Sequence, residues 1–312
     1  MKTFWITGAR GFIGRHLAKR LAVSVHRVAG LGHGAWPTAD AADWGVSYWL
    51  NGDVSGSNLA QLKAALGAPA GIFHFAGGSS VGAALANPHE DFKRTVGSTA
   101  ELLEWVRQHS PATPLVAVSS AAVYGAGHDG LIPEDASLSP YSPYGTHKLM
   151  MEELCRSYAV NFGLSIALPR LFSVFGPELK KQLLWDTCNK LATQGRAELG
   201  GTGAELRDWT YVGDVVAVLE RLIMLADATA PVLNVATGHP VPVRDVATVL
   251  AQAWASESLP PIQFSGNSRP GDPYSLCADV TRLHALGLAC AKPWSAGIAE
   301  YVTWFRSLKG ST

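Results

Sequence analysis

Two clusters of residues in this 312-residue chain have the types and spacing to do chemistry. The first is Thr7-Gly8-Ala9-Arg10-Gly11-Phe12-Ile13-Gly14, between a predicted strand and a predicted helix. Gly8 allows a sharp turn, Gly11 lets backbone amides approach a pyrophosphate, and Gly14 lets helix and sheet pack closely. The helix start then offers unpaired N–H groups and a positive dipole end to the anion. A plain structural turn can use the same glycines, but their place at the first strand–helix junction points to a dinucleotide. The second cluster is Tyr144-Gly-Thr-His-Lys148, with Ser119-Ser120 closing a predicted strand upstream. Residues four apart share a helix face. Proton transfer to a carbonyl at neutral pH needs a tyrosine pulled below about 10, which a nearby ammonium achieves. The Ser120 hydroxyl can bond the same oxygen. By spacing alone the pair is weak evidence, because a surface tyrosine and lysine at a helix start look the same.

These residues need elements that bring them together. Phe4–Thr7, Arg27–Leu31, Gly71–Ala76, Leu115–Ser120 and Ser165–Pro169 read as strands. Ile13–Ala22, Thr99–Gln108 and Pro143–Asn161 read as helices, with Leu102, Leu103 and Val106 on one face of the second. Such alternation predicts a doubly wound α/β fold on a parallel sheet, Rossmann-like, with a smaller carboxy-terminal substrate lobe. We expect residues 1–175 to form the dinucleotide-binding domain, its sheet completed by part of 208–245, and 176–312 to form mainly the substrate lobe. Leu183–Leu191 and Val243–Trp254 read as helices of that lobe, and Val232–Ala236 as a further strand of the main sheet.

Composition excludes several classes. Lys and Arg number 25 against 25 Asp and Glu, so the basic excess of a nucleic-acid binder is absent. No apolar run reaches the roughly 18 residues of a membrane span. The apolar start is too short for a signal peptide. Cys155, Cys188, Cys277 and Cys290 are scattered without a C-x-x-C pair, which fits a reduced, cytoplasmic protein. The ten histidines lack two-ligand spacing, so no metal site is expected. His74, within an apolar strand, reads as a packed core residue. Asp208 and Asp214 are of a type that could serve as acid or base, but they read better as loop or cap anchors.

The spacing G-x-x-G-x-x-G after Thr7 resembles the short-chain dehydrogenase/reductase superfamily, which also has a Tyr-x-x-x-Lys and a preceding serine. Across nearly the whole chain the resemblance is to its extended, nucleotide-sugar branch, the NAD-dependent epimerases and dehydratases. Ser119-Ser-Ala-Ala-Val-Tyr-Gly125, Ser142–Lys148, Arg170-Leu-Phe-Ser-Val-Phe-Gly-Pro177, Arg207–Asp214 and Arg269-Pro-Gly-Asp272 stand in that family's order. The resemblance implies Tyr144 as acid/base, Lys148 as its partner and a hold on the nicotinamide ribose, and Ser120 as the group polarising a sugar C4 oxygen. It implies a cofactor set of Gly8, Arg10, Gly11, Phe12, Ile13, Gly14, His33, Asp53, Val54, Phe75, Ala76, Gly77, Tyr144 and Lys148. For substrate it implies Ser80, Ser173, Arg207, Arg269 and Asp272. Guanidinium forks at 207 and 269 suit a diphosphate. A homodimer is implied through the helix from Tyr144 and its neighbour from about 98, with Met150, Met151 and Leu154 either on that surface or in the core.

Departures from the pattern narrow the chemistry. Ala121 and Ala122 replace the Asp-Glu pair of the family's 4,6-dehydratases, so dehydration is not expected. Thr95 and Ser173 stand where asparagines are common. The second strand runs into Gly32-His33-Gly34 without the acid that binds ribose hydroxyls in NAD-specific members. Arg10 and His33 can instead meet a 2′-phosphate, which favours NADP(H) over NAD(H), although Arg10 reads equally as a solvated loop residue. Asp53 is either an adenine contact or a turn residue. The sequence therefore favours a 4-keto-6-deoxy-hexose nucleotide reductase of polysaccharide biosynthesis, with a 4-epimerase holding NAD as the alternative. A non-catalytic nucleotide-binding regulator is the remote one.

Overall fold

The computed structural model describes residues 1–255, 258–267 and 273–310. Met1–Gly125, Glu134–Leu171 and Val216–Asn234 form one compact unit. Its strands are β1 (Thr3–Thr7), β2 (Arg27–Gly32), β3 (Tyr48–Asn51), β4 (Gly71–His74), β5 (Leu115–Ala117), β6 (Ser119–Ser120) and β7 (Ile166–Leu171). Its helices are α1 (Phe12–Val23), α2 (Thr38–Asp43), α3 (Gly56–Leu66), α4 (Val81–Ala86), α5 (Pro88–Phe92), α6 (Ser98–His109) and α7 (Pro143–Phe162). A π-helical turn, Lys93–Gly97, joins α5 to α6.

The sheet runs β3-β2-β1-β4-β5-β7 and ends on Val232–Val235, with β6 also paired to β7. The pairings β1–β2, β1–β4, β2–β3, β4–β5, β5–β7 and β6–β7 are parallel. Strand order reverses between β1 and β4, and such a switch point opens a crevice at the carboxyl ends of the strands. The strands are apolar on both faces because helices cover both. Phe4, Trp5 and Ile6 of β1 are all buried, as are Ile72 and Phe73 of β4. Leu102, Leu103 and Val106 of α6 and Met151, Cys155 and Ala159 of α7 join that core. Met151 is thus a core residue, while Met150 is 42% exposed.

Pro169 lies within β7, but where the ladder is interrupted. Leu115 and Val116 pair with Ile166 and Ala167, and pairing resumes at Ser119 with Arg170. A missing amide is tolerated at such a gap.

The second unit comprises Ala126–Pro133, Phe172–Val215 and the described residues from Val235 onward. Its central strand, Leu206–Tyr211, pairs in parallel with Ser173–Phe175 and Ser275–Leu276 and antiparallel with Pro240–Pro242. Helices Gln182–Gln194, Val243–Trp254 and Trp294–Gly310 pack by aromatic contacts, with Phe305 5.2 Å from Trp185 and 5.9 Å from Trp254.

Candidate active site

The glycine loop takes the form its residues require. Gly8 has φ +73, and a Cβ there would lie 3.0 Å from the Phe75 carbonyl carbon and the Ala76 nitrogen. A Cβ on Gly14 would stand 2.5 Å from the Gly8 oxygen, so only glycine lets α1 start this close to β1. Gly11 caps α1 without a side-chain bond, and the first turn holds no acidic residue. The amides of Phe12, Ile13 and their neighbours thus face no carboxylate of their own helix turn, the arrangement that receives a pyrophosphate. These close backbone approaches and the open helix start fit a dinucleotide.

Beyond β2 the side chains are exposed. His33 Nε2 lies 3.0 Å from Asp53 Oδ1. The Arg10 guanidinium passes over Gly34, whose Cβ would stand 2.2 Å from Nη1. Asn51 Oδ1 accepts from the Gly34 amide at 2.9 Å. Val54 is buried just after Asp53. The structure therefore gathers Arg10, His33 and Asp53 at one strand end, with the imidazole set against a carboxylate.

The segment after β4 lies on the glycine loop. Phe75 N donates to Thr7 O at 3.0 Å and Ala76 N to Thr7 Oγ1 at 3.2 Å. Gly77, at φ +149, leaves space that a Cβ would take 3.2 Å from Thr95 Oγ1 and 3.5 Å from Lys148 Nζ. Thr95 holds this segment in place of an asparagine: its hydroxyl accepts from Gly78 N at 2.8 Å. It sits on the π-helical turn, a deviation often found at functional positions.

Ser120 ends β6 and caps a single 3-10 turn, Ala121–Val123, accepting from Ala122 N at 3.2 Å. Helix α7 begins with Ser142 as N-cap and Pro143 in its first turn, both good helix starters. A Cβ at Gly145 would come within 2.5 Å of the Ala122 oxygen, so glycine lets α7 approach the 3-10 turn closely. Tyr144 then stands near enough to Ser120 for that hydroxyl to pull its phenol down. Lys148, one turn on, is buried and donates from Nζ to Val118 O at 2.8 Å. That carbonyl lies one residue beyond the end of β5.

The electrostatics depart from the sequence expectation. Burial pushes the Tyr144 phenol up, only partly offset by the Ser120 hydroxyl, and the Asp91 carboxylate pushes it further up. The lysine does not pull the phenol down in the chain by itself. Burial lowers Lys148 to about 8, against the Asp91, Cys155 and Glu152 charges that favour its ammonium. Asp91 itself is buried and lies 2.6 Å from His147 Nδ1. Its carboxylate occupies the room left by Gly78, whose Cβ would fall 1.7 Å from Oδ1.

Below these residues is a buried ion network that sequence reading missed. Glu152 accepts from Ser119 Oγ at 2.6 Å, from Arg170 Nε at 2.9 Å and Nη2 at 2.7 Å, and from Arg156 Nη2 at 2.8 Å. Arg170 also donates to Glu134 O at 2.9 Å and lies 4.8 Å above the Tyr124 ring centroid. The signal was present: Tyr144, Lys148 and Glu152 recur every four residues on α7. Asp91 and His147 carried no comparable pattern.

The substrate residues are placed individually. Ser80 caps α4, accepting from Ala83 N at 3.3 Å. In the second unit Ser173 pairs with Trp209, and Arg207 Nη1 donates to Leu206 O at 2.8 Å. Arg269 and Asp272 lie outside the described residues. Asp208 is a loop anchor: its carboxylate accepts from Thr237 N and Oγ1 at 2.9 and 2.7 Å and from Gly238 N at 2.8 Å. Asp214 accepts from Lys292 N at 2.7 Å, also as an anchor.

Residues 4–236 match the family described as "NAD dependent epimerase/dehydratase family". The chain is 28% identical over 293 residues to an uncharacterized UDP-glucose epimerase, YtcB, of Bacillus subtilis strain 168, with 90% of each chain covered. Among solved structures it is similar to MoeE5 in complex with UDP-glucuronic acid and NAD, at 30% identity and a TM-score of 0.86, covering 98% of this chain and 99% of that one. It is also similar to the UDP-glucose 4-epimerase of Thermus thermophilus in complex with NAD, at 25% identity and a TM-score of 0.87, over 97% and 99% of the chains.

Proposed function

The chain belongs to the NAD-dependent epimerase/dehydratase family and is an enzyme of it, and within that family we propose a 4-epimerase of a UDP-hexose that keeps NAD bound. The observation that carries this is Tyr144 near Ser120, beside buried Lys148, with two alanines next in the chain. That set can move a proton at a sugar hydroxyl but offers no acid and base at positions 121 and 122 for expelling water. Gly8, Gly11, Gly14 and the start of α1 would hold the pyrophosphate. Phe75, Ala76 and Gly77 would line the cofactor. When bound, its nicotinamide supplies a site that takes a hydride from C4 and gives it back.

The chain's own residues manage the proton. Tyr144 takes the proton of the C4 hydroxyl as the hydride leaves and returns it to the same oxygen. Ser120 bonds that oxygen and keeps it beside the phenol. Lys148, held by Val118 O, would place its ammonium against the nicotinamide ribose. Arg207 and Ser173, on strands of the second unit, are the candidates for the diphosphate and sugar.

The cofactor preference turns on the end of β2. There the positive charge available to a 2′-phosphate is partly matched, since His33 faces Asp53 at 3.0 Å. MoeE5 and the Thermus epimerase were both solved with NAD. We therefore put NAD ahead of NADP. The second reading, an NADPH-dependent 4-keto-6-deoxy-hexose reductase, keeps one observation in its favour: no acid ends β2, and Arg10 lies over Gly34. A cytoplasmic homodimer through α6 and α7 accompanies either reading, and Met150 is exposed to serve it.

Denaturing freshly purified protein and identifying the released nucleotide separates the two. Near-stoichiometric NAD, with interconversion of UDP-glucose and UDP-galactose or of the corresponding uronic acids, supports the epimerase. An empty protein that prefers NADPH and reduces a 4-keto-6-deoxy sugar nucleotide overturns it.

A further inference from the structure

His74 was expected to be inert packing, yet both of its ring nitrogens are engaged in the centre of the first unit. Nδ1 lies 2.7 Å from Thr7 Oγ1, and Nε2 lies 3.0 Å from Thr99 Oγ1. Proton accounting fixes the direction of every bond. The Thr99 hydroxyl donates to Thr95 O at 2.6 Å, so its oxygen accepts from His74, and Nε2 carries the proton. Burial holds the imidazole down to about 3, helped by the Lys148 charge, so the ring is neutral and Nδ1 is bare. Thr7 therefore donates to Nδ1 and accepts from Ala76 N. The chain runs one way: Ala76 amide, Thr7, His74, Thr99, Thr95 carbonyl. With the other tautomer, the Thr7 oxygen would receive two donors, its own proton would have none of these acceptors, and the Thr95 carbonyl would lose its bond.

These residues are far apart in sequence. Thr7 opens the glycine loop, Ala76 belongs to the segment lying on it, and Thr95 sits on the π-helical turn and holds Gly78 by its hydroxyl. We propose that His74 is a positioning residue of the cofactor cleft: as one neutral tautomer it ties the glycine loop, the Phe75–Gly78 segment and the π-helical turn into a single directed hydrogen-bond chain, so that the cleft is preset before a dinucleotide arrives. The proposal rests on the reading of the loop as a dinucleotide cradle. Aligned buried hydrogen bonds strengthen one another, so loss at one link is felt at the far end.

Two measurements test it. Nitrogen-15 NMR of histidine-labelled protein should show His74 protonated on Nε2 and unchanged from pH 8 to pH 5. An Nδ1-protonated ring, or one that titrates in that range, would overturn the proposal. NAD titration of nucleotide-free protein then reads the positioning. Thr99→Val lies on α6, outside the residues assigned to the cofactor, and should weaken NAD binding roughly tenfold. Thr99→Ser, which restores the hydroxyl, should bind as the wild type does. Equal affinities for the valine and serine variants would sink the idea. Wild-type protein that binds neither NAD nor NADP would remove the dinucleotide reading itself, a failure distinct from a wrong tautomer.

Discussion

Where β5 and β6 end, the first unit buries its charges: Lys148 is buried against the Val118 carbonyl, and Glu152 beneath it meets Ser119, Arg156 and Arg170. Where β2 ends, the side chains of His33 and Asp53 are 59% and 81% exposed and meet each other at 3.0 Å in water. Charges at the first place are worth much, and Glu152 is held by three residues, while those at the second are screened. In the proposed reading, reaction class is thus built into groups that cannot move without cost, and cofactor choice is left to groups that can change cheaply.

The sharpest way to break this contrast is at Tyr144. Tyr144→Phe should lower turnover by roughly 10²–10⁴-fold, the range for losing a general acid/base. Retained NAD and an unchanged unfolding midpoint would show that the fold survived. Near-normal turnover would mean that another group moves the proton.

Next is the ion network. Arg170→Met should cost about 3–5 kcal/mol, because it leaves Glu152 charged and underpaired in the interior. Urea unfolding would measure this, and the double variant Arg170→Met/Glu152→Leu should recover part of the loss. A loss within about 0.5 kcal/mol would place the network with ordinary surface pairs.

The contrast also explains what the sequence disclosed. The order of strands and helices in the first unit follows from apolar runs and glycines, which act locally, so β1, α1, β4 and α7 were all anticipated. Ser120, Tyr144 and Lys148 could be singled out because they stand at a strand end and a helix start, in motifs that resemble the family's. Asp91 and His147 were not, since their pairing depends on how α5 packs on α7, and no period marks it. The second unit was blurred for a similar reason: its central strand is joined by partners from residues 173–175, 240–242 and 275–276, none adjacent in sequence.

Asp91 yields a pH test. Lys148 is held near 8, and Asp91 is the foremost charge keeping it protonated against burial. Asp91→Asn removes a negative charge and keeps the shape that fills the space at Gly78. Lys148 then loses its proton at lower pH, and the alkaline fall of kcat/KM moves down, by roughly half a unit or more. A profile that stays in place while activity drops would make Asp91 a packing residue.

The smallest effect should come from the exposed end. Asp53→Asn removes the carboxylate facing His33 and leaves Arg10 over Gly34, so any 2′-phosphate there meets less negative charge. Exposed charges of this kind are worth about 0.2–1 kcal/mol, and the NADP-to-NAD affinity ratio should therefore rise by less than roughly tenfold. Because the interaction is screened, the gain should shrink further as salt is raised. Competitive titration with both cofactors at low and high ionic strength would read it. A change of several hundredfold, or one indifferent to salt, would show that Asp53 grips the cofactor directly. The two ends of the cleft would then be built alike.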